Sequence, residues 1–295
     1  MNTQNTQYVQ TSLLKLAYEV HGPTDGAPVI LLHGFPDDVR AWDQVIAGIT
    51  LQGYRTYTPY LRGYGPTTFL SEDTIRSGQN GAIAQDIIEF ADALSVDQFI
   101  LVGHDWGANA AQAIAALYSE RVHHLVSFSP YSLTWDDYQS GPPNYDQIRA
   151  LWYQNVLQDE MGAGLLYGDR RGFARYLWQT WSPSWTFSNE MFEATAVSFD
   201  NPDFVQVVLN AYRWQTAEID PRYDEIEGRL AQRPPITIPT TIMLGRDDGV
   251  NIFEPYMLEQ QSDFVGVYTA KVFDNVGHFI HRERPDAVIE SILSL

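Results

Sequence analysis

The segment 103–107 (GHDWG) carries the strongest chemical signal in the sequence. It follows an apolar run, Gln98–Val102, and precedes an alanine-rich segment, Ala108–Tyr118. Many hydrolases hold their nucleophile at such a strand-to-helix turn, where glycines let the backbone bend sharply. The central residue here is Asp105, and a carboxylate is normally ionised at neutral pH, so it can attack a saturated carbon without a base. We predict that Asp105 is a nucleophile. The alternative interpretation is a helix cap, because aspartate caps helices well.

The segment 33–36 (HGFP) follows a second apolar run, Pro28–His33. A loop at this place can contribute the backbone N–H of Phe35 to an oxyanion hole, and the N–H of Trp106 is the expected second donor. Such a hole would stabilise the oxyanion formed when water attacks an ester of Asp105. Glycine and proline also commonly end strands, so this loop taken alone favours an ordinary turn.

Candidates for an acid and a base lie near the C-terminus. The segment 245–249 (GRDDG) follows the apolar run Thr240–Leu244, and either Asp247 or Asp248 could orient a histidine from the end of that strand. We predict that His278, in a loop before the last helical pattern, is the general base. The sequence contains no motif with the spacing of a metal site, so we expect no metal and no cofactor.

The elements that would position these residues alternate between strands and helices. Apolar runs and helical patterns follow one another up to residue 130 and again from residue 234, which is typical of a parallel sheet covered by helices on both faces. The segment between Tyr131 and Arg233 shows no clear strand pattern and holds 19 of the 39 aromatic residues. We predict an α/β core of residues 1–130 and 234–295, interrupted by a helical cap of residues 131–233.

The composition excludes several partners and chemistries. The chain has 295 residues, of which 44% are hydrophobic, as in globular proteins. Its 37 acidic and 18 basic residues give a net charge of −19, which disfavours nucleic acids and anionic membrane surfaces. The absence of cysteine excludes disulfides and thiolate chemistry. The N-terminus has no signal-peptide pattern and no apolar run reaches about 18 residues, so we expect a cytoplasmic protein. We also expect a monomer or a homodimer.

These motifs, taken together, resemble the epoxide hydrolase and haloalkane dehalogenase branch of the α/β-hydrolase fold. The HGFP loop, the GHDWG turn and the late segment 277–279 (GHF) carry the resemblance, which extends along the whole chain. It implies an α/β-hydrolase fold with a mostly parallel sheet flanked by helices and an inserted helical cap domain. In this branch the acid follows a glycine after two intervening residues, which favours Asp248 over Asp247.

The resemblance also implies two cap tyrosines that donate hydrogen bonds to the epoxide oxygen, and Tyr153 and Tyr212 lie in segments similar to theirs. The expected reaction opens a small apolar epoxide to a vicinal diol through an alkyl ester on Asp105. The substrate pocket is expected to contain Phe35, Pro36, Trp106, Trp152 and Trp214.

Haloalkane dehalogenases remain an alternative, because they share the aspartate, histidine and acid but need hydrogen-bond donors for a halide. Trp106 could be one such donor. Many of these enzymes place an asparagine where this chain has Phe35, although some use a cap tryptophan instead. A lesser alternative is a non-catalytic small-molecule binder on the same fold. The presence of a candidate nucleophile, base and acid, namely Asp105, His278 and Asp248, disfavours a non-catalytic binder.

Overall fold

The computed structural model describes residues 6–128, 145–213, 215–251 and 263–295. Its strands are β1 (Thr6–Gln10), β2 (Leu14–His21), β3 (Ala27–Leu32), β4 (Tyr54–Pro59), β5 (Thr68–Phe69), β6 (Phe99–His104), β7 (Val122–Phe128), β8 (Thr240–Gly245) and β9 (Tyr268–Phe273). They form one sheet with the strand order β1-β2-β4-β3-β6-β7-β8-β9, in which β5 pairs with β2. The pairs from β4 to β9 in this order are parallel, whereas β1, β2 and β5 form antiparallel pairs at one end. The mostly parallel sheet is therefore confirmed.

The described α-helices are α1 (Asp43–Thr50), α2 (Asn80–Ala93), α3 (Trp106–Leu117), α4 (Tyr145–Ala150), α5 (Trp152–Val156), α6 (Glu160–Trp181), α7 (Asn189–Ala196), α8 (Phe204–Tyr212), α9 (Asp224–Leu230), α10 (Ile280–Glu283) and α11 (Pro285–Leu293). No helix in the described part of the chain is long and apolar enough to cross a bilayer.

Helices cover both faces of the sheet because the buried strands are apolar on both sides. Alternate residues of β3 point to opposite faces, so that Ile30 packs in the cluster with α2 and α3, while Val29 packs in the cluster with α1 and α11.

The chain leaves the sheet after β7 and returns to it at β8. The described residues between these strands form α4 to α9, which we call the helical insertion. Its expected start, Tyr131, lies outside the described residues, so the limits 131 and 233 stay a prediction.

β1 and α6 are two of the elements that differ from the sequence-based expectation. The polar segment Thr6–Gln10 forms β1, which the sequence did not indicate because the strand pairs only with β2 and buries no side chain fully. The helix α6 is longer than any helical pattern that the sequence indicated in the insertion. It contains several glycines and bends at Asp169, whose backbone is not helical.

Candidate active site

Asp105 lies at the turn between β6 and α3, with φ 53° and ψ −117°. This region is strained for a residue with a side chain. The turn can form because Gly103 and Gly107 lie on either side of it: a Cβ on Gly107 would lie 2.5 Å from the carbonyl oxygens of Leu32 and His33. The Asp105 side chain makes no capping hydrogen bond to α3. Asp105 thus occupies the N-cap position of α3, but its carboxylate does not cap the helix and is directed toward other groups.

Asp105, His278 and Asp248 form a buried cluster, which we call the Asp105 cluster. His278 Nδ1 lies 3.0 Å from Asp248 Oδ2, and His278 Nε2 lies 3.6 Å from Asp105 Oδ2. The Asp248 carboxylate also accepts the backbone N–H groups of Val250 and Asn251, both at 2.9 Å. Since Asp248 and not its neighbour Asp247 contacts the imidazole, Asp248 is the better candidate for the acid.

The surroundings of His278 favour its protonated form. Burial alone lowers the pKa of the imidazole, but the carboxylates of Asp248 and Asp105 outweigh this effect and raise the pKa to about 10. Burial raises the pKa of Asp248, but its interactions with His278 and with two backbone amides lower it below the ordinary value. His278 Nε2 has no hydrogen-bond partner among the described residues. The imidazole therefore faces Asp105 across a gap that is longer than a hydrogen bond.

The loop after β3 reaches the same carboxylate. The backbone N–H of Phe35 donates to Asp105 Oδ1 at 2.7 Å, and the Phe35 ring stacks on Trp106 with centroids 5.4 Å apart. Trp106 is the first residue of α3, where a backbone N–H has no acceptor within the helix. The two predicted oxyanion-hole residues thus flank Asp105, and the Phe35 amide already contacts it.

Tyr153 and Tyr212 also lie at this site. The indole Nε1–H of Trp106 donates to the Tyr212 hydroxyl at 3.0 Å, and the side-chain amide of Gln154 donates to the Tyr153 hydroxyl at 3.0 Å. The two tyrosine rings meet edge to face, 5.3 Å apart. A hydroxyl that accepts an N–H keeps its own proton for donation, and accepting makes it the stronger acid.

The remaining predicted pocket residues are placed differently. The Pro36 carbonyl accepts the indole N–H of Trp178 at 2.7 Å, so this residue joins the loop after β3 to α6. The Trp152 ring packs against Phe173 and Tyr176 of α6 and against the neighbouring Tyr153 ring. Trp214 lies outside the described residues.

Trp181 is a site residue that the sequence did not single out. Its ring lies 4.9 Å from the His278 ring and 5.0 Å from the Tyr153 ring, measured between centroids. It is the last residue of α6. Nothing in its local sequence distinguishes it from the other tryptophans of the helical insertion, because only the packing of α6 brings it to the histidine.

A second group of ionisable side chains lies next to the site. Its members are Asp37, His104 and His281, and one possible metal-ligand atom from each lies within 4.8 Å of the other two. However, the guanidinium of Arg282 donates to both oxygens of Asp37, at 2.9 and 2.5 Å, and His281 lies 3.3 Å from the same carboxylate. A cation would be repelled by this guanidinium, so the geometry favours a buried salt bridge over a metal site.

Comparison with known proteins gives one consistent family. Residues 27–285 match the family described as alpha/beta hydrolase fold. A Klebsiella pneumoniae protein proposed to be an epoxide hydrolase is 37% identical in sequence, and its structure superposes with a TM-score of 0.93 over 99% of this chain and 97% of its own. An epoxide hydrolase of Caballeronia sordidicola is 25% identical over 91% of this chain and 87% of its own length. Epoxide hydrolase A of Mycobacterium tuberculosis is 24% identical over 99% and 97%. The chain therefore belongs to the α/β-hydrolase-fold family, in the group that includes these epoxide hydrolases.

Proposed function

We propose that this protein is an epoxide hydrolase that opens an apolar epoxide to a vicinal diol through an alkyl ester on Asp105. The observation that carries the proposal is the hydrogen bond from Trp106 Nε1 to the Tyr212 hydroxyl. A halide site would need this indole N–H directed at the leaving halide. Here the Trp106 indole donates to the hydroxyl of Tyr212 instead, and a tyrosine hydroxyl can protonate an oxygen leaving group.

In the first step Asp105 attacks one epoxide carbon while the ring C–O bond breaks. The Phe35 amide holds Oδ1 of the carboxylate, which orients Oδ2 for attack. The electron pair of the broken bond stays on the epoxide oxygen, which takes a proton from Tyr153 or Tyr212. Because a bare alkoxide is a poor leaving group, these two hydroxyls supply the main electrostatic stabilisation of this step.

In the second step His278 removes a proton from water, which attacks the carbonyl carbon of the ester. Ester formation neutralises Asp105, one of the two carboxylates that raise the pKa of His278. The pKa therefore falls when the ester forms, so the imidazole gives its proton to the tyrosinate left by the first step and becomes a base. The amides of Phe35 and Trp106 stabilise the oxyanion. The bond between the acyl carbon and the diol oxygen then breaks, and the diol oxygen takes the proton held by His278. The carboxylic acid formed on Asp105 then returns its proton to the imidazole, which restores the carboxylate.

The helical insertion has the role of a cap in this scheme, because it supplies both tyrosines and Trp181. The aromatic side chains around Asp105 fit an apolar substrate. We further propose that the cap comprises residues 131–233 and that the protein acts in the cytoplasm without a cofactor.

Intact-mass spectrometry of His278→Gln with styrene oxide tests the covalent scheme. The ester should form and persist, so the protein mass should rise by that of one epoxide. In a single turnover of the wild type in ¹⁸O water, the label should enter Asp105 and not the diol. The matched control is Asp247→Asn, which replaces the half-buried carboxylate beside Asp248 and should leave no adduct.

Two results would contradict the proposal. Label in the diol during the first turnover would exclude the ester. Release of halide from a 1-haloalkane, with no diol from styrene oxide, would favour the dehalogenase alternative.

A further inference from the structure

Three consecutive backbone amides around His278 donate to groups outside their own loop. The N–H of Gly277 donates to the Glu283 carboxylate, with both oxygens at 3.0 Å. The N–H of His278 donates to the Trp181 carbonyl at 3.1 Å. The N–H of Phe279 donates to Ser182 Oγ at 3.2 Å. The His278 loop is thus held on each side of the imidazole.

Ser182 and Glu283 also bind each other, since Ser182 Oγ donates to Glu283 Oε1 at 2.7 Å. Ser182 is fully buried at the C-terminal end of α6, and Glu283 is the last residue of α10. The pair therefore joins the helical insertion to the segment that follows His278. Since each member accepts an amide of the His278 loop, removing either one leaves an N–H without its acceptor.

The same end of α6 also contacts the loop that carries Asp248. The N–H of Gly249 donates to the Trp181 carbonyl at 3.0 Å, so this one oxygen accepts an amide from each loop. The backbone carbonyls of the last helical turn have no N–H donor within the helix and carry partial negative charge. They are therefore available to accept hydrogen bonds from the amides of these two loops. The approach is close: a Cβ on Gly249 would collide with the Thr180 carbonyl, and one on Gly277 with Ser182.

We propose that Ser182 and Glu283 are positioning residues that hold His278 where its Nε2 faces Asp105, and that they control hydrolysis of the ester rather than its formation. The inference rests on the proposed function above. Attack by Asp105 on the epoxide does not use His278, whereas attack by water on the ester does. Displacing the His278 loop should therefore slow only the second step.

The test is Ser182→Ala with styrene oxide, followed by rapid quenching and intact-mass spectrometry. We expect ester hydrolysis to slow by about 10-fold or more, because a displacement near 1 Å can cost about 100-fold in a catalytic step. The ester should accumulate, and kcat and KM should fall together while kcat/KM stays near the wild-type value. A general loss of structure would lower kcat/KM instead. The amount of ester in the first turnover counts the correctly folded sites.

Two further variants and a control complete the test. Glu283→Ala removes the other member of the pair and should give the same kinetic pattern, so it decides the question if Ser182→Ala does not fold. Ser182→Thr keeps the hydroxyl and should restore hydrolysis. The matched control is Ser198→Ala, since Ser198 is another buried hydroxyl of the insertion that bonds the core, through Asp38 at 2.6 Å, without contacting either loop. It should hydrolyse the ester at the wild-type rate.

Failure of this inference can be distinguished from failure of the proposed function. If His278→Gln accumulates the ester while Ser182→Ala and Glu283→Ala hydrolyse it at the wild-type rate, the positioning role is wrong and the function stands. If His278→Gln forms no ester, the proposed function itself is wrong. A proportional fall of kcat and kcat/KM in Ser182→Ala would also overturn the positioning role.

Discussion

Two buried ionic clusters contain similar residue types but differ in how completely they are hydrogen-bonded. Arg62 donates to both oxygens of Asp86, at 2.7 and 2.8 Å, to the Tyr223 hydroxyl at 2.9 Å, and to two backbone carbonyls. In the Asp105 cluster, by contrast, His278 Nε2 lies 3.6 Å from Asp105 and has no hydrogen-bond partner among the described residues. Both clusters exclude solvent almost entirely.

The difference separates a structural role from a chemical one. The Arg62 cluster joins α2 in the core to the residue before α9 in the helical insertion, through the hydrogen bond from Arg62 to the Tyr223 hydroxyl. Buried polar atoms are normally satisfied, so an unsatisfied one at the end of a charged network needs an explanation. In the Asp105 cluster, the gap between His278 Nε2 and Asp105 leaves this nitrogen able to act on a reacting group. Three predictions test this comparison.

The largest expected effect is that of Asp105→Asn on activity. The variant keeps an oxygen for the Phe35 amide but lacks a nucleophilic carboxylate, so turnover of styrene oxide should fall by about 10⁴-fold or more. The free energy of unfolding should change by less than about 2 kcal/mol, because His278 keeps its partner Asp248. Steady-state kinetics and urea unfolding measure the two quantities. A large loss of stability with residual turnover would break the comparison.

Arg62→Ala should show the opposite pattern. It leaves the Asp86 carboxylate buried without its cation, which should reduce the free energy of unfolding by about 3–5 kcal/mol. Activity per folded molecule, counted by the ester formed in one turnover, should stay at the wild-type value. The double variant Arg62→Met with Asp86→Leu should recover much of the stability, because neither charge remains. A loss of turnover in the folded fraction would show that this cluster also serves the reaction.

The pH dependence of stability gives the smallest expected effect. The pKa of His278 is about 10 in the folded protein and near 6.5 in the unfolded chain. The folded state therefore binds this proton more tightly, and the resulting stability is fully present below pH 6.5 and is lost as the pH rises through 10. Between these values the wild type should lose about 1.4 kcal/mol per pH unit relative to His278→Gln.

Urea unfolding of both proteins at pH 7 and pH 9 measures this loss. Introducing Arg62→Ala into both proteins should leave the difference between their pH dependences of unfolding free energy unchanged, because a guanidinium does not titrate in this range. Parallel pH curves for the wild type and His278→Gln would mean that His278 is not held protonated in the folded protein.

The sequence-based prediction succeeded for site residues that lie in a short motif beside a strand. Asp105 follows β6 directly, and Phe35 lies in the loop that follows β3. The carboxyl ends of such buried parallel strands meet at one edge of the sheet. Their proximity could therefore be inferred before the fold was seen. The prediction missed β1, whose polar residues carry no pattern of burial, and it did not separate Trp181 from the other tryptophans of the insertion.

The sequence by itself determined the fold class, the turn that presents Asp105 and the types of residue available for the reaction. These depend on short-range patterns: apolar strands, glycines beside the turn and the order of motifs along the chain. The glycine spacing favoured Asp248 over Asp247, and the tertiary structure shows Asp248 in contact with His278. Only the tertiary structure decided that the end of α6 meets both loops of the acid and the base. Those contacts join residues far apart in the chain, and they form only when the helical insertion packs on the sheet, so no local pattern encodes them.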